Sequence, residues 1–75
     1  MEIGVVINDG EKGLLKELCF KYNIYIPFIE SFDNEYNYHL FVINNYYITI
    51  TSTQVMRSLK TIIHGINDLD KFLSK

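Results

Sequence analysis

The chain has 75 residues, of which 48% are hydrophobic, and its formal net charge is −2. This length excludes a multidomain enzyme, because so short a chain buries only about 60% of the surface that its unfolded form exposes. The hydrophobic content excludes the disordered class, so we expect one small folded domain over residues 1–75.

The first predicted elements are a strand and a helix. Residues 2–7 form a short segment that is rich in β-branched side chains, which is typical of a buried strand. Residues 11–22 carry apolar side chains at helical spacing and predict a helix. Asn8 and Glu11 have the spacing of a capping pair at its start. The alternative keeps residues 8–10 as a hairpin turn.

Three strands are predicted next. Residues 24–32 form the first, which lies at a sheet edge or carries a bulge because Pro27 cannot donate to a ladder. Residues 38–43 and 46–51 form a hairpin around Asn44-Asn45, since two asparagines tolerate positive φ.

This two-residue turn predicts which strand residues oppose each other. On the face expected to meet the core, the pairs are Ile43 with Tyr46, Phe41 with Ile48, and His39 with Ile50. The second face mixes tyrosine, threonine and aliphatic residues, a composition that suits partial exposure or an interface. Its pairs are Val42 with Tyr47, Leu40 with Thr49, and Tyr38 with Thr51.

The last predicted element is a helix that starts at Ser52 or Thr53 and runs to residue 75. Apolar residues at alternating steps of four and three would form its buried seam: Val55, Leu59, Ile62, Ile66, Leu69 and Leu73. In the alternative, Gly65 ends one helix and Asn67-Asp68 starts another. The fold class is therefore α+β, in the order β-α-β-β-β-α, with an antiparallel or mixed sheet and both helices on one face.

Cysteine usage and hydropathy indicate the compartment. Cys19 is the only cysteine, so no intramolecular disulfide can form, and a reducing cytoplasm is the expected location. No run of 18 apolar residues and no positively charged leader is present, so we expect no membrane association.

Phe, Tyr, Met, Ile, Asn and Lys make 37 of the 75 residues and alanine is absent, a skew that A+T-rich codons produce. Such codon usage suggests a low-GC bacterium, or one of its phages or plasmids.

Residues with catalytic or metal-binding chemistry are few. Cys19, His39 and His64 form no paired-ligand motif, and the four glycines fit no phosphate-binding loop. We therefore predict a non-enzymatic protein without a cofactor or a metal. A thiol enzyme that pairs Cys19 with a histidine is the minor alternative.

The charges divide unevenly along the chain and indicate two candidate surfaces. Residues 22–56 contain no lysine or arginine and carry a net charge of −3, whereas residues 57–75 carry a net charge of +2. The first candidate surface is acidic and tyrosine-containing, and it would bind a partner through Glu30, Asp33, Glu35, Tyr36, Tyr38 and Tyr47. The second is a basic stripe on the final helix, formed by Arg57, Lys60, His64 and Lys71.

The leading functional hypothesis is a protein-interaction module. An acidic, tyrosine-containing surface suits a larger protein or ribonucleoprotein with a basic or apolar surface. With the compositional skew, this favours a phage- or plasmid-encoded inhibitor that occupies a host nuclease or defence complex, anti-CRISPR-like in role. The runner-up is a nucleic-acid-binding regulator that uses the basic stripe. A proline-marked edge strand and a mixed sheet face also favour a homodimer.

Overall fold

The computed structural model of the protein describes residues 2–27 and 38–75. A four-stranded mixed sheet has the order β3-β2-β1-β4, with β1 antiparallel to β2 and parallel to β4. The predicted α+β fold class is confirmed. The elements in chain order are β1 (Glu2–Asn8), a 3₁₀ turn (Asp9–Glu11), α1 (Lys12–Lys21), β2 (Tyr38–Asn44), β3 (Tyr47–Ile50), α2 (Thr53–Ser58), β4 (Ile62–His64) and α3 (Ile66–Leu73).

Side-chain alternation along β1 divides the sheet into two faces. Ile3, Val5 and Ile7 point to one side, which we call the core face, and each is at most 1% exposed. Helices α1 and α3 cover this face. The prediction that all helical segments share one face holds for these two helices and fails for residues 53–58. The core there also contains Leu15, Leu18, Cys19, Phe41, Ile43, Ile48, Ile63, Ile66 and Leu69.

Helix α2 packs on the other side of the sheet, which we call the second face. Gly4 and Val42 are register partners on this face, and both are buried. A Cβ atom at Gly4 would collide with the sulfur of Met56 and lie 3.1 Å from Cδ1 of Leu59. The missing side chain therefore lets Met56 sit directly on the sheet, where it is only 5% exposed.

The β2–β3 hairpin is present, but its register differs from the predicted one by two residues. Asn44 pairs with Tyr47 and Ile43 pairs with Ile48, so Asn45 and Tyr46 form the turn. Asn45 takes the left-handed conformation with φ of 58°, which asparagine tolerates. A shift of two residues leaves the faces unchanged, so His39, Phe41 and Ile48 point to the core as predicted.

The prediction of one continuous C-terminal helix was wrong. Helix α2 ends at Ser58, and residues 62–64 form strand β4 beside β1. Ile63 enters the core from this strand, because β-branched residues pack well on a sheet edge. The alternative was right that a new helix begins after Gly65, but Gly65 follows strand β4 rather than ending a helix, and α3 starts at Ile66. Gly65 has φ of 89°, which only glycine adopts readily.

The predicted strand over residues 24–32 lies only partly within the described residues. Tyr25 forms an isolated parallel bridge with Tyr47 at the outer edge of β3. Continuing this parallel pairing would require the amide of residue 27 to donate to the carbonyl of Ile48. Pro27 has no amide hydrogen, so that bond cannot form.

Glu11 fastens the start of α1 to the start of α3. One carboxylate oxygen accepts from the amide of Asn8 at 3.0 Å, which confirms the predicted capping pair and excludes the hairpin-turn alternative. The other oxygen accepts from the amide of Ile66, also at 3.0 Å. Gly65 has no side chain with which to cap α3, so Glu11 performs this role from 55 residues away.

Removing the Glu11 carboxylate should lower the free energy of unfolding. The bonds from the Ile66 and Asn8 amides lower the pKa of Glu11 below its ordinary value of 4.5. Its contribution is therefore complete above pH 4.5 and is lost as the pH falls through the folded-state value. We expect Glu11→Ala to cost about 1 to 2 kcal/mol at pH 7 in urea titrations.

Glu11→Gln is the matched variant for the pH dependence. The stability difference between wild type and Glu11→Gln should stay constant at neutral pH and shrink below pH 4.5. A difference that does not change between pH 7 and pH 3 would contradict the capping role of the carboxylate.

Candidate interaction surfaces

The turn between β2 and β3 displays three exposed tyrosines. Tyr25 is 68% exposed, Tyr46 is 79% exposed and Tyr47 is 42% exposed. We call Tyr25, Tyr46 and Tyr47 the tyrosine surface. Its side chains present large amphipathic rings to solvent, while the backbone that carries them belongs to the sheet or is bonded to it.

Two backbone hydrogen bonds hold the tyrosine surface together. The amide of Tyr25 donates to the carbonyl of Tyr46 at 2.6 Å, and the amide of Ile48 donates to the carbonyl of Tyr25 at 3.0 Å. Because Tyr25 and Tyr47 are register partners, their side chains lie on the same face of the sheet. The backbone that carries the three rings is thus tied to the sheet.

Helix α2 covers only part of the second face, to which Tyr47 belongs. Met56 shields Gly4 on β1, and the neighbouring Val42 on β2 is only 7% exposed. At the β3 side of the same face, Tyr47 remains open to solvent. The face is therefore partly a second packed layer and partly an open aromatic surface.

Of the predicted acidic and tyrosine-containing surface, the structure describes Tyr38 and Tyr47. Tyr47 belongs to the tyrosine surface. Tyr38 begins β2, six residues before Asn44, and its backbone lies roughly 20 Å from the turn. The other members lie outside the described residues: Glu30, Asp33, Glu35 and Tyr36.

Two members of the tyrosine surface were not among the predicted site residues. Tyr46 was predicted to face the core, but the hairpin turn includes it, so its ring is exposed. Tyr25 lies 22 residues before Tyr47 in the chain and reaches it only through the parallel bridge. The sequence signal for Tyr46 was its place directly after the two-asparagine turn, whereas Tyr25 lies far from that turn in the chain.

The predicted basic stripe does not lie on one helix. Arg57 is on α2, His64 is on β4 and Lys71 is on α3, and all three are exposed. Lys60 is exposed between α2 and β4. Arg57, His64 and Lys71 are seven residues apart, which would place them on one side of a single helix. A strand interrupts that helix, so the spacing does not bring them together.

His64 and Lys71 nevertheless meet across a groove of about 320 Å³ between β4 and α3. We call this the β4–α3 groove. Lys75 joins them there, and Asp68 supplies one negative charge. The apolar part of the lining consists of Ile62, Ile63 and Phe72.

Cys19 and His39 are buried in the core face. Cys19 is 1% exposed, and burial raises the pKa of its thiol to about 11, so the thiol is protonated at neutral pH. His39 is 3% exposed, and its Nε2 lies 3.1 Å from Oδ1 of Asp9. Lys12 lies 3.0 Å from the same Asp9 oxygen, so a surface carboxylate ties this histidine to a lysine.

The described residues contain neither a metal-ligand cluster nor a membrane-spanning helix. No group of three or more His, Cys, Asp or Glu side chains there is placed to hold a metal ion. The longest described helix, α1, has 10 residues, and no helix of this part of the chain could span a membrane. Comparison with protein-family models, curated proteins and solved structures finds no match for the chain.

Proposed function

We propose that the protein is a non-enzymatic interaction module that binds a larger protein through the tyrosine surface. The observation that carries this proposal is the grouping of three exposed tyrosines on backbone that is hydrogen-bonded to the sheet. Tyrosine is enriched at binding hot spots, because it contributes a large contact area and loses few rotamers when it is immobilised.

Charge supports a basic or apolar partner. No lysine or arginine occurs from residue 22 to residue 56, a range that includes every member of the tyrosine surface. The sequence between Tyr25 and β2 adds three carboxylates, at Glu30, Asp33 and Glu35. An acidic surface attracts a basic one during encounter, and desolvated aromatic anchors slow its release.

The form of the function that we favour is inhibition by occupancy. A module of this size can block a basic groove of a nuclease or a ribonucleoprotein without performing any chemistry. The codon-driven composition supports a phage or plasmid origin, and a host nuclease or defence complex is then the target, in an anti-CRISPR-like role. The homodimer remains a separate prediction.

The test compares a double variant in the tyrosine surface with a single variant on α1, at positions where an aromatic side chain is mostly exposed. The double variant Tyr25→Ser and Tyr46→Ser removes two exposed rings and keeps the backbone bonds that involve Tyr25 and Tyr46. We expect it to weaken binding to the protein captured by wild type by at least about 100-fold, since two hot-spot side chains are lost.

Phe20→Ser is the control for this test. Phe20 is 73% exposed on α1 and lies outside the tyrosine surface. The dissociation constant of Phe20→Ser should stay within about twofold of wild type, and both variants should keep the wild-type circular dichroism spectrum. Equal weakening by the two variants would mean that general stickiness, not the tyrosine surface, explains capture.

The arrangement of the basic residues does not support nucleic-acid binding as a second function. Its proposed residues, Arg57, Lys60, His64 and Lys71, are distributed over two helices, a strand and a connecting segment. Only His64 and Lys71 share a groove. Few cations in one place give few phosphate contacts and a weak salt dependence.

A further inference from the structure

We infer that the β4–α3 groove binds an acidic, extended peptide segment of another protein, which adds as a strand to the outer edge of β4. The groove lies between the last strand of the sheet and the helix that follows it. The free edge of β4, the adjacent side of α3 and the charge of the groove each support this occupant.

The outer edge of β4 offers backbone groups for strand addition. β1 bonds to this segment through the carbonyl of Thr61 and the amide of Gly65, and parallel register pairs Val5 with Ile63. Alternation along the strand therefore directs the amides and carbonyls of Ile62 and His64 away from β1. Within the described part of the chain, β4 is the terminal strand, so an added peptide can bond to these groups.

One side of α3 forms the other wall of the groove. Asp68, Lys71 and Phe72 are spaced at i, i+3 and i+4, which places them on a single side of the helix, and Lys75 lines the same groove just after the helix ends. Every second side chain of an added strand would point toward this wall. Phe72 and the lysine stems would contact its apolar atoms, and the ammonium groups would bind its carboxylates.

The charge of the groove selects an acidic peptide over a basic one. Lys71 and Lys75 outnumber Asp68 among the charged residues of the lining. Asp68 lies in the first turn of α3, whereas Lys71 lies in its last turn and Lys75 follows the end of the helix. The acidic residues of the peptide are therefore expected near Lys71 and Lys75. A duplex or a single-stranded nucleic acid would gain nothing from the strand edge of β4.

The groove and the tyrosine surface lie on opposite edges of the sheet. β3 carries Tyr47, and β4 is three strands away in the order β3-β2-β1-β4. Three strand spacings correspond to roughly 14 Å. Peptide binding in the groove is therefore independent of the proposed function, and each can be tested without the other.

Selection from a displayed library of random dodecapeptides tests the inference. Wild-type protein should enrich peptides with Asp or Glu at alternating positions. The double variant Lys71→Glu and Lys75→Glu should weaken binding of a selected peptide by at least tenfold, and Arg57→Glu, an equal charge change per site on α2, should leave binding within twofold. All three side chains are exposed, so their replacement should leave the fold intact.

A backbone scan separates strand addition from simple charge attraction. N-methylation of a selected peptide should abolish binding at alternate residues only, because alternate amides face β4. No acidic enrichment, equal loss with Arg57→Glu, or insensitivity to N-methylation would each overturn the inference. Displacement of the peptide by a DNA or RNA oligonucleotide at a steep salt slope would overturn it in favour of a phosphate site. Tyr25→Ser with Tyr46→Ser should not change peptide affinity.

Discussion

Replacing Phe41 by alanine is expected to lower the free energy of unfolding by about 3 to 5 kcal/mol. Phe41 is 1% exposed and is the largest of the fully buried side chains in the described residues. It lies on β2 between its register partners Val5 on β1 and Ile50 on β3. Its removal would leave a cavity under both helices of the core face.

The size of the domain makes this loss decisive. A chain of this length has a total stability of about 4 to 11 kcal/mol, so Phe41→Ala should lose between about a quarter and all of it and should unfold at a much lower urea concentration than wild type. The matched control is Phe20→Ala, because Phe20 is 73% exposed and its removal should change stability by less than about 0.5 kcal/mol. Urea titrations followed by circular dichroism measure both. Equal losses in the two variants would contradict the assignment of the core.

A methyl group added at Gly4 is the second large expected effect. Its Cβ would collide with the sulfur of Met56 and approach Cδ1 of Leu59 to 3.1 Å. Overpacking of this kind costs about 1 to 3 kcal/mol, reduced if Met56 can change its rotamer. We therefore expect Gly4→Ala to be clearly destabilising. The overpacking outweighs the opposite effect of alanine, which restricts the unfolded chain more than glycine does.

A double-mutant cycle shows whether α2 causes this cost. In a Met56→Ala background the added methyl has room, so Gly4→Ala should cost nothing or stabilise the protein. Gly13→Ala is the control, since a Cβ there meets no atom within 4 Å and the helix α1 should gain about 0.5 to 1 kcal/mol. If Gly4→Ala costs the same with and without Met56, α2 does not pack over Gly4.

Local patterns in the sequence predicted the strands and their faces well. The alternation of apolar and polar residues in β2 and β3 has a period of two, so the faces were correct although the hairpin register was wrong by two residues. The Asn8 and Glu11 pair correctly marked the start of the first helical segment. These signals depend on neighbours in the chain, which is why sequence alone can detect them.

Long-range contacts explain the parts that sequence reasoning missed. Residues 59–66 fit a helical seam, yet Ile62 and Ile63 pair with β1, a strand that lies some 58 residues earlier. Met56 of α2 sits directly on the sheet only because Gly4, a distant residue of β1, has no side chain. Neither contact leaves a local trace, so periodicity favoured the single long helix.

In the candidate sites, too, local sequence signals were detected and long-range contacts were missed. Tyr47 was predicted as part of a binding surface, and its exposure agrees with that role. Tyr25 joins it through a bridge to a distant strand, and Tyr46 became exposed only because the turn includes it. The basic residues shared a helical spacing by coincidence, whereas Lys75, outside the predicted set, contributes to the β4–α3 groove.

Site-specific photo-cross-linking in the source cell tests the central claim most directly. A benzophenone amino acid would replace Tyr46 in one variant and Phe20 in a second, since these exposed aromatic positions are 79% and 73% accessible. The tyrosine surface as a partner-binding site predicts a specific cross-linked protein at position 46 and only background at position 20. Equal cross-linking at both positions, or a product at position 20 alone, would contradict it.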